Sequence, residues 1–179
     1  AMIVDPWFDE VAAILLAWYP GQEGGIAIAE LLFGDSVPSG KLPITFPKSE
    51  EDLPTFDNIN VTVNYEALHG YKYLIDQNST PRYAFGHGLS YTEFDYWFTE
   101  VDPMVLDVQR SVNVSIVIQN AGARIGTEVI QVYLALHEAE AEGEASNHPI
   151  SLKGFQRVTL EPGMTETVNI SIPYRAFCR

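Results

Sequence analysis

The chain has 179 residues, enough for one ordinary domain or two small ones, and its hydrophobic fraction of 46% supports a packed core and excludes wholesale disorder. A formal net charge of −14, from 24 acidic against 10 basic residues, repels a phosphate backbone and an anionic lipid surface. Nucleic acid and membrane are therefore poor partners, whereas neutral ligands such as sugars suit the chain.

Residues 1–52 read as an α/β piece. Residues 1–4 form a short apolar run closed by Asp5-Pro6, a strand entering a turn rather than a secretory leader. A chain opening inside a strand leads us to expect further structure upstream. Residues 12–18 ("AAILLAW") form a continuous apolar run bounded by Tyr19-Pro20-Gly21, which favours a buried strand. Residues 22–33 ("QEGGIAIAELLF") follow as a helix, stopped by Gly34-Asp35 with glycine in the left-handed cap position. Glu30 is almost its only polar residue within the apolar stretch, so the helix is expected to be buried on most sides.

Residues 53–95 form a connecting segment. The stretch from residue 36 onward is irregular, with Pro38, Pro43, Pro47, Pro54 and Pro81 and turns at Ser39-Gly40 and Gly86-His87-Gly88. Tyr65, Tyr71, Tyr73, Tyr83, Phe85, Tyr91 and Phe94 make it too aromatic for a free linker. It is expected to pack onto a neighbouring domain and to cross a domain junction.

Residues 96–179 change to period-two patterns. "SVNVSIVIQN" (residues 111–120) alternates cleanly, with Val112, Val114, Ile116 and Ile118 on one face. "GTEVIQVYLAL" (residues 126–136) follows a turn at Ala121-Gly122-Ala123, and "ISLKGFQRVTL" and "TETVNISI" flank the turn Glu161-Pro162-Gly163. Short alternating strands with no helix between them predict an immunoglobulin or fibronectin type III-like sandwich. The fold class is thus an α/β fragment followed by an all-β sandwich.

Chemistry-bearing residues are sparse. The glycines of "AWYPGQEGG" (residues 17–25) lack the Lys-Ser/Thr pair of a P-loop and the spacing of a dinucleotide fingerprint. They read as a strand-turn-helix corner, with Glu23 at the positive end of the helix dipole and Gly24-Gly25 allowing close packing. A retaining glycosidase needs two carboxyl groups about 5 Å apart. Asp5, Asp9, Glu10, Glu23, Asp35 and Glu66 are available, but their spacing pairs none of them. Glu138, Glu140, Glu142 and Glu144 alternate with Ala and Gly, unlike a calcium loop, and read as a solvated loop. His69, His87, His137 and His148 have no metal-ligand spacing, and His87 between two glycines reads as a turn residue. The lone Cys178 permits neither an intrachain disulfide nor a thiolate cluster, and it lacks the setting of an activated thiol. No metal site and no cofactor are expected. Four sequons, at Asn60, Asn78, Asn113 and Asn169, exceed the one or so that chance supplies. They lean towards a secreted protein, although such triplets also arise freely in bacterial β-domains.

Five blocks carry a family resemblance. They are "AILLAWYPGQEGGIAIAELLFGDSVPSGKLPITFP" (residues 13–47), "NYEALHGYKYLID" (64–76), "YAFGHGLSYTEF" (83–94), "GTEVIQVYLA" (126–135) and "LKGFQRVTLEPG" (152–163). In this order the chain resembles the C-terminal part of glycoside hydrolase family 3, the β-glucosidase family. The resemblance implies the end of an α/β sandwich domain plus a fibronectin type III-like domain, preceded in the family by a (β/α)8 barrel. It implies retaining hydrolysis of a terminal β-linked sugar, glucose foremost, with β-xylosidase and N-acetylglucosaminidase as alternatives within the family. The family's Ser-Asp-Trp nucleophile motif and its Glu-Gly-x-Asp-Arg-like proton-donor stretch have no counterpart here, so no catalytic residue carries over and substrate-binding residues stay unassigned. The partners implied are the upstream barrel and sandwich of the same enzyme and a β-glucoside, in a secreted or periplasmic setting, with homo-oligomerisation left open. A stand-alone fibronectin-like interaction or carbohydrate-binding module is the reading from another class.

Overall fold

The computed structural model describes residues 2–55, 57, 59–63, 68–101, 111–135 and 150–177, apart from the Thr99 side chain. Two compact units emerge. One comprises Ala1–Ile14, Lys41–His87 and Leu134–Ser151, the other Leu15–Gly40, Gly88–Tyr133 and Leu152–Arg179.

The second unit contains the sandwich. Its strands are β1 (Phe94–Val101), β2 (Ser111–Asn120), β3 (Gly126–Leu134), β4 (Ser151–Leu160) and β5 (Thr165–Pro173). Among the described residues β1, β2 and β5 form one antiparallel sheet in the order β1-β2-β5, and β3 and β4 form a second. The β2–β5 register runs unbroken from Ser111 opposite Pro173 to Gln119 opposite Thr165. That register follows from the alternation: a one-residue slip would turn Val112, Val114, Ile116 and Ile118 to solvent. Val114, Ile116 and Ile118 face inward with Val168, Ile170 and Ile172 of β5, and Ile130, Val158 and Leu160 of the other sheet complete the core. The strands expected from period two are all present, and with the helical fragment they bear out the fold class.

The same unit holds α1 (Gly24–Phe33), whose start lies two residues inside the expected helix and whose end matches it. Gly34 closes α1 at φ 82°, a left-handed angle that glycine reaches without a Cβ clash. One expectation fails here, and the cover expected over α1 does not come from the described residues. Residues 12–18 form no strand, and Val11, Ile14, Leu15 and Trp18 are exposed. The α1 helix is likewise uncovered: Ile26 is 60%, Leu32 64% and Phe33 85% exposed. A buried parallel strand needs neighbours on both edges and both faces, and the described residues supply none of them. Residues 2–4 also form no strand, although Val4 is buried and accepts the Trp7 amide at 3.1 Å in the expected turn.

The first unit is mostly irregular. A single bridge pairs Phe46 with Tyr83, and nearby the Leu42 amide donates to the His87 carbonyl at 2.8 Å. Its one α-helix among the described residues is the short α2 (Tyr71–Asp76), which buries Leu74. Residues 71–76 lack the length for a visible helical period, so α2 is absent from the sequence expectations.

One polar side chain organises the end of the sandwich. Asn120, 0% exposed, closes β2. Its Oδ1 accepts the Thr92 hydroxyl at 2.6 Å and the Gly122 amide at 3.2 Å, and its Nδ2 donates to the carbonyls of Arg124 (2.7 Å) and Leu160 (2.9 Å). Its backbone pairs with Met164 and Gly163 of the β4–β5 turn. Asn120→Ala leaves these buried partners unmet, which costs on the order of 3 kcal/mol. A urea titration is expected to show that loss as a lower midpoint with an unchanged slope.

Candidate functional site

The acids nominated by sequence divide between the two units. Asp5, Asp9 and Glu10 belong to the first, Glu23 and Asp35 to the second, and Glu66 lies outside the described residues. Asp9 and Glu10 are exposed on a single 3-10 turn, Phe8–Glu10. Glu23 occupies the N-cap position of α1 but makes no side-chain cap bond, and exposed Asp35 follows the helix stop.

Asp5 is the exception, being tied to Arg82. The guanidinium donates from Nε to Oδ1 at 2.7 Å and from Nη2 to Oδ2 at 2.5 Å, a bidentate fork. Arg82 also lies over the Phe8 ring, 4.3 Å from its centroid. Around it, Tyr83 meets Phe8 and Phe46 edge-on at 6.1 and 6.2 Å and stacks with His87 at 5.0 Å. Tyr71 packs on Phe85, also at 5.0 Å. Tyr71, Tyr83 and Phe85 of the aromatic segment thus have ring partners within the first unit, and His87 serves a turn, its amide donating to Ala84 at 3.1 Å.

Three carboxylates, Asp5, Asp52 and Asp57, are shifted downward by hydrogen bonds. The hydrogen bonds from Arg82 hold Asp5 below the ordinary carboxylate value. The Ser79 hydroxyl does the same for Asp52, and the Ile59 amide for Asp57. A glycosidase proton donor needs the opposite shift, an acid kept protonated near neutrality. Burial raises the Tyr96 phenol, reinforced by Glu128. Among the described residues no group of three His, Cys, Asp or Glu side chains is placed to hold a metal. His137, His148, Cys178 and the acidic residues Glu138, Glu140, Glu142 and Glu144 lie outside the described residues, as does Tyr65.

The corner at residues 17–25 is shaped by its glycines. At Gly24 an added Cβ would stand 2.7 Å from the Pro20 ring, so this glycine makes room for the turn itself, while the surroundings of Gly25 are open. The close approach at Gly24 is therefore with the Pro20 side chain of the same turn, not with the neighbouring backbone expected there. The far end of α1 is better held: the Tyr91 hydroxyl donates to the Leu31 carbonyl at 2.8 Å, and Arg124 donates to the Gly34 carbonyl. Neither Arg82 nor Arg124 stands out in the sequence, because their partners are 77 and 90 residues away.

Residues 1–91 match the glycosyl hydrolase family 3 C-terminal domain. The chain belongs to glycosyl hydrolase family 3. Residues 128–178 match the fibronectin type III-like domain, in keeping with the two sheets described above. The family 3 chain is 39% identical over 178 aligned positions to a probable β-glucosidase J of Neosartorya fischeri, an alignment covering 94% of the chain and 20% of that protein. It is 39% identical to a periplasmic β-glucosidase of Salmonella typhimurium, covering 94% of the chain and 22% of the relative. The solved β-glucosidase 3B of Thermotoga neapolitana in complex with glucose superposes with a TM-score of 0.85 at 36% identity, covering 98% of the chain and 25% of that structure. The chain thus spans about a fifth of the length of the curated relatives it matches.

The Asp5–Arg82 fork has a pH signature. A depressed carboxylate pKa contributes stability at pH values above the unfolded value of 3.8, and that contribution is lost as pH falls through the lowered folded value. Thermal melts between pH 7 and pH 2 are expected to show Asp5→Asn less stable than wild type at neutrality, with the gap closing in acid.

Proposed function

We propose that this chain is the C-terminal portion of a retaining β-glucosidase that releases terminal β-linked glucose from oligosaccharides. The observation that carries this reading is the alignment of nearly the whole chain with about a fifth of several β-glucosidases, at 37–39% identity in fungal and bacterial examples. The uncovered apolar surface of α1 supports it physically, since a helix carrying Ile26, Leu32 and Phe33 in water needs a covering partner.

In this reading residues 1–52 complete an α/β sandwich domain, residues 53–95 connect, and residues 96–179 form the fibronectin-like domain. The nucleophile and the proton donor belong to the barrel and upstream sandwich of the full-length enzyme. The chain contributes neither, in keeping with the depressed Asp5, Asp52 and Asp57. The setting is secreted or periplasmic, supported by the four sequons and the periplasmic relative.

Hydrolysis of 4-nitrophenyl β-glucoside tests this directly. The full-length enzyme is expected to turn it over, and the isolated chain to show no release above the uncatalysed rate. Robust turnover by the isolated chain would place a catalytic pair within these residues and overturn the assignment.

A further inference from the structure

Only two non-glycine residues among the described ones have positive φ: Asn78 at 52° and Trp18 at 49°. Asparagine tolerates that conformation. A bulky tryptophan does not, and backbone strain of this kind collects at ligand-contacting positions. Nor is the strain offset by packing, since Trp18 is 51% exposed and the adjacent Tyr19 98% exposed.

The exposed apolar side chains of this region fall into two chemical kinds. Val11, Ile14, Leu15, Ile26, Leu32 and Phe33 are wholly hydrocarbon, the type that protein cover buries. Trp18 and Tyr19 sit together where residues 12–18 meet the Pro20-Gly21 turn. They are flat rings with an N–H and an O–H at the rim, suited to a ligand with both apolar faces and hydroxyls. A pyranose presents axial C–H groups on its faces and hydroxyls around its edge. As a neutral ligand it also suits a chain of net charge −14.

We propose that Trp18 and Tyr19 are saccharide-binding residues of the full-length enzyme, stacking on a pyranose ring of the β-glucoside, with the left-handed turn at Trp18 presenting the indole to it. This rests on the β-glucosidase reading above. An alternative occupant, another part of the same enzyme packed over the two rings, is decided by the same experiment.

The test is steady-state kinetics on cellobiose, with melting temperatures, for full-length wild type, Trp18→Gly, Trp18→Phe and Tyr19→Ser. Glycine deletes the ring and relieves the backbone, so a contact made only to sugar predicts a KM raised about twofold to tenfold at an unchanged or higher melting temperature. Trp18→Phe keeps a ring and is expected to stay near wild type, and Tyr19→Ser to raise KM without loss of stability. Unchanged KM in both ring-deleting variants overturns the proposal, as does a lowered melting temperature in both, which marks interior packing. If Trp18→Gly does not fold, Tyr19→Ser decides by the same two readouts. Wild-type enzyme that fails to hydrolyse cellobiose and 4-nitrophenyl β-glucoside alike sinks the β-glucosidase reading itself, a separate outcome.

Discussion

A buried primary amide has two donors and two acceptor lone pairs, and removing it from water is tolerable only if they are met. Asn120 meets that condition with partners from three separate stretches of chain: Thr92 ahead of β1, Gly122 and Arg124 in the loop after β2, and Leu160 at the end of β4. No hydrophobic residue of similar size could replace those bonds, because the Thr92 hydroxyl and two carbonyls would lose their partner. The amide therefore fixes where β2 ends and how the β4–β5 turn returns. It also fixes the loop from which Arg124 reaches the Gly34 carbonyl, while Tyr91 reaches Leu31. The last turn of α1 is thus held by side chains from the sandwich, and the helix depends on it at that end.

What could be read in the sequence was whatever has a local period or a local stop. The strand 111–120 shows itself because its inward residues fall on every second position, and the Gly34 stop because glycine alone takes φ 82° without penalty. The five blocks identify the family for a related reason, since each keeps its order and spacing. Asn120 is hidden because asparagine at a strand end looks like a turn residue, and only the fold shows it enclosed. Arg82 is hidden by the 77 residues separating it from Asp5. The failure at residues 12–18 differs in kind. The apolar run is there, but a buried strand is defined by its neighbours, and none of the described residues pairs with it.

These contrasts divide the chain into a part that satisfies its own chemistry and a part that does not. The sandwich encloses nine apolar side chains and a fully bonded amide. By contrast, α1 and the run before it present apolar side chains to water, including Phe33 at 85% exposure. A stable core bearing an uncovered helix suits a region that docks into a larger enzyme, and the chain spans about a fifth of its β-glucosidase relatives. The described carboxylates with shifted acidity, Asp5, Asp52 and Asp57, are held below the ordinary carboxylate value by hydrogen bonds.

Amide hydrogen exchange, compared between the isolated chain and the full-length enzyme, tests this division most directly. The account predicts that amides of Ser111–Asn120 and Thr165–Pro173 exchange slowly in both, while those of Gly24–Phe33 exchange fast in the isolated chain and slowly in the enzyme. Equal protection of the helix in the two forms would contradict it, because α1 would then need no cover beyond what this chain provides.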